Sequence, residues 1–144
     1  MSIIDGDFID REDLKQSLRV MMRVQEDLTN GKTKNWLIFP EGTRNRNINA
    51  KLLEFHHGTF RPAMKAGVPI VPAAIFGTFR AIKKPAYKKY PIYVEFGGPI
   101  YPKDYQNMTT NEVAALVQSR VQKMITYHAR KYDQEYMAKH KQIK

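Results

Sequence analysis

Trp36-Leu37-Ile38-Phe39 is an uninterrupted apolar run, stopped by Pro40 and followed by Gly42. A short run with no polar position on either alternating face reads as a buried strand of a parallel sheet. Proline cannot extend a strand ladder, and glycine lets the backbone bend sharply. The strand therefore delivers its carboxyl end straight into a turn. Two further runs follow, Val68 to Ile75 and Ile92 to Phe96. The first of these contains Pro69 and Pro72, which mark an edge or irregular strand. The other is closed by Gly97-Gly98-Pro99.

Helical spacing surrounds these runs. From Glu12 to Asn30, Leu14, Leu18, Met21, Met22 and Leu28 form an apolar stripe, with Asp10 as N-cap and Gly31 as the stop. Thr59 to Lys65 reads as a short helix with Pro62 in its first turn and Gly67 after its end. Thr109 and Glu112 make a capping box. Behind it, Val113, Leu116, Val117, Val121, Met124, Ile125 and His128 share one face of a closing helix. Helices alternating with short strands imply an α/β layer architecture, a sheet with flanking helices. Ligands of such sheets bind beyond the carboxyl ends of the strands, where Pro40 to Arg44 lies.

Composition narrows the classes of function. The 144 residues suit one domain, and no apolar run approaches the ~20 residues that span a bilayer. Met1 to Asp5 lacks the basic and apolar regions of a signal peptide. There is no cysteine, which excludes disulfides, thiol nucleophiles and cysteine-held zinc. The chain carries 24 Lys+Arg against 14 Asp+Glu, a net charge of +10. That excess attracts polyanions, whether anionic lipid, phosphorylated substrate or nucleic acid. Part of it sits in Lys83, Lys84, Lys88 and Lys89, part in the tail from Arg130 to Lys144. Either cluster is equally a solvated face, and no nucleic-acid reading motif accompanies them, so nucleic acid is not an expected partner.

The segment Phe39-Pro40-Glu41-Gly42-Thr43-Arg44 carries the chemistry. Gly42 allows close approach of the backbone to a ligand, and successive amides of Gly42, Thr43 and Arg44 suit an anion. Thr43 adds a hydroxyl, and Arg44 a planar fork matched to phosphate. Glu41 places a carboxylate at the same mouth. From the residues alone, a surface turn with a solvated Glu–Arg pair accounts for the segment at least as well.

The segment is identical to the FPEGTR signature of the lysophosphatidic acid acyltransferase family, and its surroundings resemble that family too. Gly6-Asp7-Phe8-Ile9-Asp10-Arg11 is similar to the preceding block, Phe55-His56-His57-Gly58 to the following one, and Val68-Pro69-Ile70-Val71-Pro72 to the last. Four blocks in order cover residues 6–76. The remainder is a basic loop, strand and closing helix over 77–130 and a basic tail over 131–144, which makes the whole one partial acyltransferase domain.

The resemblance implies transfer of a fatty acyl group from acyl-CoA or acyl carrier protein to the free hydroxyl of 1-acylglycerol-3-phosphate. It implies no metal and no cofactor beyond the acyl donor. Arg11 and Arg44 are expected to meet the acceptor's phosphate, Glu41 and Gly42 to bind and orient the acceptor, with Glu41 supporting the chemistry, and Thr43 to support the turn. Val68 to Pro72 would shape a pocket. The work would take place peripherally, on the cytoplasmic face of an anionic membrane. Lys83-Lys84-Pro85-Ala86-Tyr87-Lys88-Lys89-Tyr90 suits such a surface, or an acidic carrier, as well as plain solvent.

The family's base is the His of an H-x-x-x-x-D motif ahead of the Phe-Ile-Asp-Arg block, and Met1 to Asp5 contains no His. The sequence is therefore expected to be truncated at its amino end, and a catalytically inactive phosphate- or lysophospholipid-binding domain is the alternative function. His128 and Asp133 have the motif's spacing, but five helical residues turn side chains about 140° apart. His128 is expected to pack. His56 and His57 stand where the family has lysines, which suits phosphate or carrier contact better than base duty.

Overall fold

The computed structural model describes residues 13–31, 35–45, 51–78 and 92–140. In chain order these form helix α1 (Leu14–Thr29), a 3-10 turn (His57–Phe60) leading into α2 (Arg61–Ala66), strands β1 (Ala73–Phe76) and β2 (Tyr93–Phe96), the short helix α3 (Pro102–Tyr105) and the long helix α4 (Thr110–His140). The architecture is α/β, with a strand ribbon and the 3-10 turn against α4 and α1 against α2.

α1 begins where Asp13 accepts hydrogen bonds from the Lys15 and Gln16 amides, at 2.9 and 3.0 Å. Such a cap satisfies amides that have no partner within the helix. Asp10, the expected cap, lies outside the described residues. The buried stripe of α1 also differs from the expected one. Val24 and Asp27 are buried, while Leu18 and Met22 are exposed. The position of α2 selects the inward face, not the tally of apolar residues. Arg23 lies 3.9 Å from the Asp27 carboxylate and offsets the burial of that charge.

α2 follows the sequence closely. Pro62 occupies its first turn and is buried, and Gly67 closes it in the left-handed conformation at φ +63. The capping box of α4 forms as well, with Glu112 accepting from the Thr109 amide at 2.7 Å and from its hydroxyl at 2.8 Å. Those bonds hold the Glu112 carboxyl below its ordinary pKa.

The strands are antiparallel, with Ala73 opposite Phe96 and Phe76 opposite Tyr93. The parallel pairing expected of Trp36–Phe39 does not concern these two strands. Pairing continues to Ile70 and Ile100, which exchange backbone bonds of 2.9 and 2.8 Å. That pair is one residue out of step with the strands, which places a bulge at Gly97–Pro99. Phe76, Tyr93, Ala74 and Glu95 lie on the face toward α4. Ile75, Val94 and Phe96 lie on the outer face and are exposed.

The core gathers Phe55, Phe60, Ala74, Phe76, Ile100, Tyr105 and the Val113, Val117, Val121 and Ile125 stripe of α4. Ile100 and Val113 are completely buried. Removing three carbons from Ile100 would cost about 2–5 kcal/mol, since a core this tight collapses only partly. Tyr105 ties the core to the Val68–Pro72 segment, donating its hydroxyl to the Val68 carbonyl at 2.8 Å. Burial raises its pKa.

The Trp36–Phe39 run is not a strand. It has no ladder partner among the described residues, and Leu37 and Phe39 are 68% and 66% exposed. An apolar run supplies the tendency to extend, but a strand exists only where a neighbour takes its backbone groups.

Candidate active site

The signature folds as a tight turn. The Phe39 carbonyl accepts from the Gly42 amide at 3.0 Å, closing four residues over Pro40 and Glu41. Proline presets the second position of such a turn and glycine suits the fourth. Gly42 has φ +58, which a side chain would disfavour. Its amide is engaged inside the turn, so its contribution is the bend. Of the three amides expected to face an anion, those of Thr43 and Arg44 remain candidates.

Glu41 is half-buried and held from two directions. One oxygen, Oε2, accepts from the Leu53 amide at 2.8 Å and from Asn45 Nδ2 at 2.8 Å. Asn45 Nδ2 also donates to the Lys51 carbonyl at 2.8 Å. The carboxylate therefore fastens the signature turn to the segment over residues 51–56. That segment is bound a second time where the His56 amide donates to the Pro40 carbonyl at 2.9 Å. Neither bond uses Oε1.

Thr43 and Arg44 follow on the exposed side of the turn. Among the described residues no carboxylate pairs with Arg44, so the solvated Glu–Arg pair allowed by the sequence does not form. Glu41 is bound to the Leu53 amide and the Asn45 side chain, and Arg44 is exposed. Arg11, the other expected phosphate contact, lies outside the described residues, as do Lys83 to Tyr90.

The histidines are placed apart from Glu41's bonds. His56 is exposed and joins the site through its backbone. His57 Nδ1 lies 3.2 Å from the Thr110 hydroxyl at the start of α4. His128 Nε2 meets Glu95 Oε2 at 2.6 Å, and its ring stacks on Tyr93 with centroids 5.1 Å apart. The packing expected for His128 is found. Its carboxylate partner comes from β2, a pairing that H-x-x-x-x-D spacing does not suggest.

Two residues that sequence reasoning passed over complete the surroundings. Gln118 and Gln122, on α4, reach the backbone of the 51–56 segment. Polar positions on a helix carry no local sign of such a partner.

Comparison with known proteins agrees with this geometry. The family model described as Acyltransferase matches residues 1–76. The 1-acyl-sn-glycerol-3-phosphate acyltransferase of Haemophilus influenzae is 30% identical over 118 residues, 82% of this chain and 48% of that protein. Human 1-acyl-sn-glycerol-3-phosphate acyltransferase beta is 33% identical over 132 residues, 89% of this chain and 45% of its own length. The crystal structure of the 1-acyl-sn-glycerophosphate (LPA) acyltransferase from Thermotoga maritima superposes with a TM-score of 0.61 at 26% identity, covering 76% of this chain and 44% of that one. The chain thus spans about half the length of the relatives it matches. With the signature turn, its carboxylate anchor and the family model in agreement, this chain belongs to the acyltransferase family.

Proposed function

We propose that the chain forms the acceptor side of an enzyme that transfers a fatty acyl group from acyl-CoA or acyl carrier protein to the free hydroxyl of 1-acylglycerol-3-phosphate, in phospholipid synthesis. The observation that carries this reading is the division of the signature turn. Glu41 is held by Leu53 and Asn45, while Thr43 and Arg44, next along the chain, are exposed. A phosphate seated on the Arg44 fork and the Thr43 hydroxyl leaves the glycerol end near Glu41 Oε1, which accepts from an acceptor hydroxyl. Arg11 provides a second cation for the same phosphate. Holding the acceptor in one orientation supplies much of the advantage of a bound over a free reaction.

In the transfer itself, the acceptor oxygen attacks the thioester carbonyl, the carbon–sulfur bond breaks and the thiol leaves with the hydroxyl's proton. That proton passes through a base, the role of the family's H-x-x-x-x-D histidine. His57 and His128 are hydrogen-bonded elsewhere, and neither is assigned that role here. The reading calls for no metal or cofactor beyond the acyl donor.

The acceptor is a membrane lipid, and the net charge of +10 favours an anionic surface. No helix among the described residues is long and apolar enough to cross a membrane. Peripheral attachment at the cytoplasmic face fits this reading.

The test is acyl transfer to lysophosphatidate from each donor, with binding measured in parallel, for the chain and for its Glu41→Ala and Arg44→Ala variants. The expected result is binding weakened about 10- to 100-fold in each variant, the range for loss of one charged hydrogen-bonded contact. Binding that both variants retain in full would overturn the assignment. Binding without transfer from either donor would instead give the phosphate- or lysophospholipid-binding domain.

A further inference from the structure

We infer that Gln118 and Gln122 are positioning residues for Glu41, acting through the backbone of residues 52–55; the inference rests on the acceptor-binding reading of the same turn. The segment that donates to Glu41 has no strand beside it among the described residues. Its backbone groups find partners on α4 instead. Gln118 makes a two-point contact, its Nε2 donating to the Leu53 carbonyl at 3.1 Å and its Oε1 accepting from the Phe55 amide at 3.4 Å. A side-chain amide used in this way replaces one residue of a neighbouring strand, offering a donor and an acceptor at the spacing a backbone would.

Gln122, one helical turn further on, accepts from the Leu52 amide at 2.9 Å. Its own amide is oriented from behind. Nε2 donates to the Thr126 hydroxyl at 3.2 Å, and that hydroxyl donates to the Gln122 carbonyl at 2.7 Å. Which end of Gln122 faces Leu52 is therefore fixed by the helix that carries it. Residues four apart on a helix lie on one face, so the two glutamines grip consecutive stretches of one strap.

Leu53 sits at the centre of this arrangement. Its carbonyl is held by Gln118, and its amide points to Glu41 Oε2 at 2.8 Å. The bonds described for the two glutamines go to the backbone of residues 52–55 and, for Gln122, to α4 itself. They determine where the Leu53 amide stands, and the amide determines where the carboxylate stands. A displacement of about an ångström in such a support is enough to misplace a reacting group.

The test combines two measurements on Gln118→Met and on Gln118→Met/Gln122→Met, which keep side-chain length and remove the amides. The first is hydrogen exchange at the Leu53 amide, which needs no ligand. It should quicken about tenfold or more in the double variant, with Gln118→Met between it and the parent. The second is lysophosphatidate binding in a cycle with Glu41→Ala. The glutamine substitutions should weaken binding about fivefold or more in the parent and add nothing once Glu41 is gone. Unchanged Leu53 exchange in both variants would overturn the inference, as would a binding loss that adds in full to that of Glu41→Ala. A parent chain that binds no lysophosphatidate would remove the acceptor reading. The exchange measurement alone would then decide the role of the glutamines.

Discussion

His128 Nε2 lies 2.6 Å from Glu95 Oε2, joining the middle of α4 to the strand that forms one side of the ribbon. The ring is nearly enclosed, with 14% of the side chain exposed, between Tyr93 and Tyr127. This histidine is a structural tie, and its substitution is expected to be felt in stability.

His128→Ala should lower the free energy of unfolding by about 2 kcal/mol, combining the lost bond and the lost ring packing. Denaturant unfolding checks the value. Lysophosphatidate binding by the folded fraction should stay at the parental level; a selective loss of binding would move His128 into the site.

Arg44→Ala should flatten the salt dependence of lysophosphatidate binding as well as weaken it. An exposed guanidinium meeting a phosphate is screened by ions within roughly 10 Å at 0.1 M salt, and its removal takes that sensitivity away. Titrations at low and high salt give the slope. Equal slopes in parent and variant would show that the phosphate rests elsewhere.

Glu112 sets a pH dependence at the start of α4. Its pKa is lowered in the folded chain by the bonds from the Thr109 amide and hydroxyl. A depressed carboxyl stabilises the fold above its unfolded pKa, and that stability fades as pH falls through the folded value. The protection of the Thr109 amide, its exchange rate divided by the intrinsic rate at the same pH, should therefore fall on acidification below the ordinary glutamate range. In Glu112→Gln that acid step should disappear.

Gly67→Ala isolates a backbone cost. The residue has φ +63, yet apart from its chain neighbours nothing lies within 4 Å of where a Cβ would stand. Any loss is conformational and should come to about 1–2 kcal/mol in thermal or denaturant unfolding. A change within about 0.5 kcal/mol of zero, the scatter of surface substitutions, would mean that the turn relaxes.

The features legible in the sequence are those whose partners are close along the chain. Pro62 with Gly67, Thr109 with Glu112, and the Phe39–Gly42 turn are each settled within a few residues, and each forms as its residues imply. Trp36 to Phe39 was expected to be a strand because apolarity is local, whereas the ladder that makes a strand is not. Leu18 and Met22 were counted toward the buried face of α1 for the same reason, since α2 decides which side is covered. Glu95 for His128, and Leu52 and Leu53 for the two glutamines, are partners brought from far along the chain, and a single glutamine on a helix announces nothing about them. At the site, the residue types and their turn were readable. Glu41's bond to the Leu53 amide and its distant support were not.

The bond from the Leu52 amide to Gln122 spans 70 positions. The turn at Glu41 closes within four residues and is able to form early in folding, but its strap is fixed only when α4 docks. Contacts so distant in sequence are made late, because the intervening chain must first surrender its freedom. On the ribosome, the signature emerges well before the helix that steadies it. The order of synthesis therefore leaves Glu41 without its distant support until α4 has been made.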